Sequence, residues 1–154
     1  MNEYKESKVV LKKFLQEKMS LTDGQVFRAP PKVTDINLYP IIVIRSATSR
    51  KTVSDSGFAK NDYNILVGIY TRAETSLDAS DELDGMIKDL DNAVKTYGAA
   101  GLDATNLTDS RWEDFTRIEE NTTYDDSVAD DLGWVVYGVS LGVRIREAMS
   151  SMTG

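Results

Sequence analysis

An alternating run near the carboxyl end of the chain constrains the fold more than any other feature. Residues 134–146 read WVVYGVSLGVRIR, and every odd position from 135 to 145 is apolar. A period of two is typical of a strand with one face on a core, so we predict a strand over residues 134–147. Gly138, Ser140 and Gly142 share its other face, which predicts close packing there against a helix or another subunit.

The same run contains GVSLG, which fits the G-x-S-x-G nucleophile elbow of many hydrolases. The chain has no histidine, whereas the serine of such an elbow is activated by an imidazole base. An elbow also needs a sharp strand-to-helix turn rather than a continuous strand. We interpret Ser140 as a small residue on a strand face and expect no enzyme activity. A hydrolase that uses Ser140 or a carboxylate pair is a weaker hypothesis than a structural subunit or a binding module.

Composition excludes several classes of function. The chain has 154 residues and a net charge of −7, which suits one domain and argues against nucleic acid or anionic lipid as the main ligand. Cysteine is absent as well as histidine, so disulfides, thiolate nucleophiles and the commonest transition-metal ligands are excluded. We expect no cofactor and no bound metal. Because no apolar run approaches the roughly 20 residues that span a bilayer, we expect a soluble cytosolic protein.

Helical spacing of apolar residues predicts two helices, over residues 3–19 and 79–97. Apolar stripes run along both: Val10, Leu11, Phe14 and Leu15 on the first, and Leu83, Ile87, Leu90, Val94 and Tyr97 on the second. Asp78 or Ser80 is predicted to cap the second helix, and Gly98 to end it.

Runs of β-branched and aromatic residues predict strands over residues 25–29, 38–46, 62–72 and 112–124. The stretches between them lack periodicity, so residues 47–60, 98–110 and 125–131 are predicted to be loops. The tail, residues 148–154, is predicted to be frayed. The whole chain, residues 1–154, is predicted to form a single domain.

The predicted 47–60 loop is the most basic stretch of this acidic chain. Arg45, Arg50, Lys51 and Lys60 lie in it or beside it. Loops of about this length are often functional or mobile. Two interpretations carry equal weight: a solvated loop, or an arm that grips an acidic neighbouring subunit.

Acidic residues cluster in the predicted 125–131 loop, DDSVADD, at Asp125, Asp126, Asp130 and Asp131. A solvated turn explains them better than a calcium site. A second acidic stretch, DASDELDG over residues 78–85, fails the spacing of a calcium-binding EF-hand loop because Leu83 stands where that loop needs glycine.

The element order resembles that of the tail-terminator proteins of long-tailed bacteriophages. The resemblance lies in YPIIVIRS, a long polar loop, YNILVGIYTRAE, an amphipathic helix and a terminal GWVVYGVSLGVRIRE, and it covers roughly residues 36–147. It implies an α/β (α+β) fold, with a mixed or antiparallel sheet of about four to five strands flanked by two main helices. It also implies a homo-oligomer, a six-membered ring on the head-proximal end of the tail tube. Such a ring stops tube polymerisation and joins the tube to head-completion proteins.

The resemblance implies where subunits meet and where the protein resides. The basic 45–60 arm and the acidic residues of 78–91 and 125–131 are expected to be complementary halves of one interface. Acidic walls would repel DNA passing through the lumen. The expected location is the virion tail or neck, after assembly in the host cytoplasm. The alternatives are another neck or head-completion connector, or a small non-catalytic acidic α+β binding module.

Overall fold

The alternating run forms the inner strand of a sheet that has two helices on one face. The computed structural model describes residues 3–53, 58–97, 112–129, 133–147 and 150–151. In chain order its elements are α1 (Glu3–Lys18), β1 (Val26–Phe27), β2 (Ile41–Val53), β3 (Phe58–Ala73), α2 (Ser76–Tyr97), β4 (Trp112–Ala129), β5 (Val135–Glu147) and β6 (Ser150–Ser151), with two short 3-10 turns at Asp23–Gln25 and Val33–Asp35.

The sheet is mixed, with the strand order β1-β2-β3-β5-β4. The two-residue β1 runs parallel to β2, and the other pairs are antiparallel. The two-residue β6 pairs with the start of β3. The prediction of an α+β fold with two main helices and a mixed or antiparallel sheet is confirmed.

The core lies between the helices and one face of the sheet. The odd positions of β5 from Val139 to Ile145 are fully buried there, as the alternation predicts. The stripes of α1 and α2 supply the other side, and Phe14 stacks on Phe115 of β4 with ring centroids 4.3 Å apart. Both described helices lie on the side of the odd face of β5, so within the described chain no helix packs on its glycine face, and packing of another subunit there stays a prediction. The main buried side chains are Leu11, Phe14, Leu15, Ile42, Ile44, Ile65, Val67, Ile69, Leu83, Leu90, Leu141 and Ile145.

The helix ends follow from local backbone bonds. After α1 the backbone N–H of Leu21 donates to the Gln16 carbonyl at 3.0 Å, and Ser20 adopts φ 55°, which is the left-handed turn that commonly closes a helix. At the start of α2 the Thr75 hydroxyl accepts a bond from the Asp78 N–H at 3.1 Å. Thr75 therefore caps α2, and the prediction of Asp78 or Ser80 is wrong because the helix begins earlier.

The predicted 47–60 loop is mostly strand. β2 continues to Val53 and β3 begins at Phe58, with unbroken pairing from Ser46–Leu66 to Val53–Ala59. The apolar halves of the two strands set the register, and antiparallel pairing extends it through Ser, Thr and charged residues that have no apolar period of their own. Residues 54–57 lie outside the described part of the chain.

The acidic loop and the frayed tail also differ from prediction. β4 extends to Ala129, so Asp125 and Asp126 lie in a strand, whereas Asp130 and Asp131 fall outside the described residues. Ser150 and Ser151 pair with Ala59 and Phe58 and are not frayed. The predicted 98–110 loop lies outside the described residues, as does the rest of the tail.

Candidate assembly interface

Ser140 lies in the middle of a continuous strand. Its register partners are Gly68 on β3 and Thr123 on β4, and it is half-buried. The strand-to-helix turn that presents the nucleophile of an elbow is therefore not the backbone geometry at Ser140. Gly138 and Gly142 on the same face of β5 are buried.

Arg45 contacts an aromatic residue of the neighbouring strand. It occupies the β-bulge between Ile44 and Ser46, where its guanidinium donates to the Tyr70 hydroxyl and lies 5.5 Å from the Tyr70 ring centroid. The Tyr70 ring in turn crosses Gly68, where an added Cβ would stand 2.9 Å from Tyr70 Cε2. Arg45 is thus held on the body of the sheet.

The outer side of β2 is one edge of the sheet. β1 covers it only at Ile42 and Val43, and over 44–53 the described residues place no strand against it. Those ten residues carry Arg45, Arg50 and Lys51 and no acid, a formal charge of +3. We call 44–53 the basic edge. Lys60 lies one strand further in, opposite Thr52.

β4 forms the opposite edge of the sheet, and within the described chain no strand pairs with its outer side. Its 18 residues include six acids and one arginine, a formal charge of −5. We call β4 the acidic edge. The acids are Glu113, Asp114, Glu119, Glu120, Asp125 and Asp126.

Arg117, the single base of the acidic edge, is directed towards helix α2. Its Nε donates to Asp91 Oδ1 at 3.0 Å, and its Nη1 donates to the Ile118 carbonyl at 2.7 Å. Asp91 is half-buried and belongs to the predicted acidic stretch 78–91, whose other five acids lie exposed along α2. The positive charge of Arg117 therefore forms an ion pair with the helix.

A partly buried ion pair joins β3 to β5 in the register row of Arg50. Asp62 and Arg146 are opposite each other on β3 and β5. Arg146 Nε lies 2.9 Å from Asp62 Oδ1, and Nη2 lies 3.4 Å from Oδ2. This two-pronged geometry fixes the two side chains relative to each other. The pair is 84 residues apart in sequence, so no local pattern pointed to it.

The described residues contain no group of three or more carboxylates placed to hold a metal ion. A shallow groove of about 330 Å³ lies where α1 and α2 end, lined among others by Lys18, Asp89, Asn92 and Tyr97. The Lys18 ammonium lies 4.5 Å from the centre of the Tyr97 ring, so this cation packs on an aromatic face of the groove.

The structure distributes the predicted interface residues over both edges. Arg50 and Lys51 lie on the basic edge, and Asp125 and Asp126 lie on the acidic edge. The interpretation of 125–131 as a separate loop missed Glu113, Asp114, Glu119 and Glu120. Four acids in the predicted 112–124 strand were the available signal, but only the strand order shows that this strand is an edge.

In sequence comparisons, no protein-family model and no curated protein match this chain. Among the described helices, none is both long and apolar enough to span a membrane.

Proposed function

We propose that this protein is a non-catalytic structural subunit that assembles into a ring through the two edges of its sheet. The observation that carries the proposal is the opposite charge of those edges, +3 on the basic edge and −5 on the acidic edge. Exposed sheet edges are templates for pairing with another chain. Edges of opposite charge favour pairing of one edge with the other and disfavour pairing of like with like.

Pairing of two different edges is a head-to-tail interface. Each copy then uses its basic edge towards one neighbour and its acidic edge towards the other. Such an interface generates a closed ring when the rotation between copies closes, and a filament when it does not. Ring closure is what a protein needs in order to cap a tube with a fixed number of subunits.

The tail-terminator pattern supplies the biological context of this ring. We propose that a six-membered ring sits on the head-proximal end of a phage tail tube, ends polymerisation of the tube protein and presents a surface to a head-completion protein. The net charge of −7 suits a lumen through which DNA passes without being held, because acidic walls repel phosphates.

Electron microscopy and sedimentation of the purified chain test the assembly. The wild type should form rings at moderate concentration, alone or on purified tail tubes. The double variant R50E/K51E should remain monomeric, because it reverses the charge of the basic edge. The control K13E/K95E makes the same change in net charge at two exposed helix positions and should still assemble. A wild-type chain that stays monomeric and does not bind tail tubes would overturn the proposal.

The absence of catalysis is tested separately with a fluorophosphonate probe. We expect no labelling of the wild type, and the same background in Ser140→Ala. Labelling that disappears in Ser140→Ala would assign a reactive hydroxyl to Ser140 and replace the structural role by a hydrolase.

A further inference from the structure

One row of residues across the sheet carries charges of alternating sign. Arg50 on β2 is opposite Asp62 on β3, Asp62 is opposite Arg146 on β5, and Arg146 is opposite Asp114 on β4. The central members form the ion pair described above, with a shortest distance of 2.9 Å. The row therefore begins with a positive residue at the basic edge and ends with a negative residue at the acidic edge.

The strand directions allow a second copy to continue the sheet. β2 and β5 run one way, and β3 and β4 run the other. When the acidic edge of one copy meets the basic edge of the next in a continuous sheet, β4 and β2 are antiparallel, which is the more stable type of pairing. We propose that Asp114 of one copy lies opposite Arg50 of the next, so that the alternating row continues from copy to copy. This proposal rests on the proposed head-to-tail ring.

At this register the regular segments of the two edges end at the same point. β4 is regular from Asp114 to Ile118 and then bulges before Thr123. With Asp114 opposite Arg50, the regular segment ends at Ile118 opposite Ser46. The bulge in β4 thus begins near Val43, where β1 starts to pair with the outer side of β2. A straight β4 would collide with β1 there, whereas a bulge bends a strand away.

Charge also favours this register over registers that are shifted by one or two residues. Glu113, in the bulge beside Asp114, and Lys51, beside Arg50, carry opposite charges as well. A slip of one residue would exchange the faces of the two strands. A slip of two residues keeps the faces but places Arg50 opposite Trp112 or Thr116, and the charge pairing of the row is lost.

Disulfide trapping tests the register with little background, because the chain has no cysteine of its own. The register places Thr48 of one copy opposite Thr116 of the next, two residues from the Arg50 row. Within one chain these two positions are three strand spacings apart, about 14 Å, whereas a disulfide needs Cα atoms within about 7 Å. The variant T48C/T116C, treated with a mild oxidant, should therefore give a ladder of covalent multimers of the 17.1 kDa chain and leave the charged row intact.

The matched control is T48C/T123C, since Thr123 lies on the same strand and four register positions further along β5, a shift of about 14 Å. It should stay monomeric in denaturing electrophoresis. A second pair on the proposed register, S46C/I118C, also leaves the charged row intact and should cross-link like T48C/T116C. Cross-linking of the control pair, or of no pair while microscopy shows rings, would overturn the register and leave the proposed function standing. A wild type without rings would remove the proposed function, and the register with it.

Discussion

The two halves of the β2–β3 hairpin differ in burial and in the polarity of their residues, although antiparallel pairing runs through both. In the half beneath the helices, Ile42 and Ile44 of β2 are fully buried beside Val67 and Ile69 of β3. Beyond the bulge at Arg45, Thr48 is exposed, and the residues of β2 are polar or charged with the exception of Ala47 and Val53. The comparison teaches that burial of apolar side chains stabilises the strands in the first half. The second half is strand because it continues the pairing register that the first half sets.

The two halves are also held by different interactions. The buried half is stabilised by apolar area removed from water. The polar half has the backbone ladder between β2 and β3, the short β6 beside Phe58 and Ala59, and the Asp62–Arg146 pair at its base. Substitutions should therefore have effects on stability that fall steeply from the body of the sheet to its edge.

The largest effect is expected from removing apolar volume beneath the helices. Leu90 of α2 is fully buried, and Leu90→Ala should lower the free energy of unfolding by about 2–5 kcal/mol. Leu77 lies on the same helix but is 70% exposed, so Leu77→Ala should change it by less than about 0.5 kcal/mol. Denaturant unfolding measures both. Equal losses in the two variants would show that the helix contributes by its propensity and not by the face it buries.

An intermediate effect is expected at the base of the polar half. Asp62→Ala removes the buried carboxylate that accepts two bonds from Arg146, and it should lower the free energy of unfolding by about 1–3 kcal/mol. The double variant with Arg146→Ala should lose less than the sum of the two single losses, because either single change already breaks the bonds between Asp62 and Arg146. Strictly additive losses would mean that the pair does not couple β3 to β5.

A matched pair of threonines, one buried on β3 and one exposed on β2, tests the difference between the body of the sheet and its edge. Thr71 is fully buried on β3, and its hydroxyl donates to the Ala79 carbonyl of α2 at 2.7 Å. Thr71→Val keeps the branched shape and removes the bond, at a cost of about 1 kcal/mol. The same change at exposed Thr48 should shift stability by less than about 0.5 kcal/mol. Thermal or denaturant unfolding compares the two variants. A larger loss at Thr48 would contradict the claim that the polar half of β2 follows the register set by the buried half.

Sequence periodicity predicted the parts of the fold in which burial repeats. The stripe from Val10 to Leu15 and the alternation from Val139 to Ile145 each placed an element within one or two residues of its observed bounds. Where burial does not repeat, the predicted bounds were wrong. Residues 47–53 have no apolar period and were predicted to be a loop. The strand predicted over 112–124 is present as β4, but β4 has three irregularities in its pairing and extends to Ala129.

The candidate site was less accessible to sequence reasoning than the fold. Arg50 and Lys51 were recognised because they lie close together in the chain. The acidic partner surface was not, since the role of Glu113 and Asp114 depends on β4 being the last strand of the sheet. Strand order is a long-range property, and a row such as Arg50–Asp62–Arg146–Asp114 becomes visible only after the pairing is known.

The smallest effect is expected at an ion pair that lacks the burial of Asp62. Asp23 is 87% exposed and lies 3.0 Å from the Lys12 ammonium. The hydrogen bond and charge of Lys12, with a bond from Gln16, lower the pKa of Asp23 below its ordinary value. A lowered folded-state pKa stabilises the fold above the unfolded-state pKa, and this contribution is lost as pH falls through the folded-state pKa. In Lys12→Met the pKa of Asp23 should rise towards its ordinary value, as an NMR titration of the carboxyl would measure. Solvent screening should keep the difference in unfolding free energy close to zero. An unchanged pKa in Lys12→Met would show that Lys12 does not hold it down, and a large loss of stability would show that exposure does not separate this pair from Asp62–Arg146.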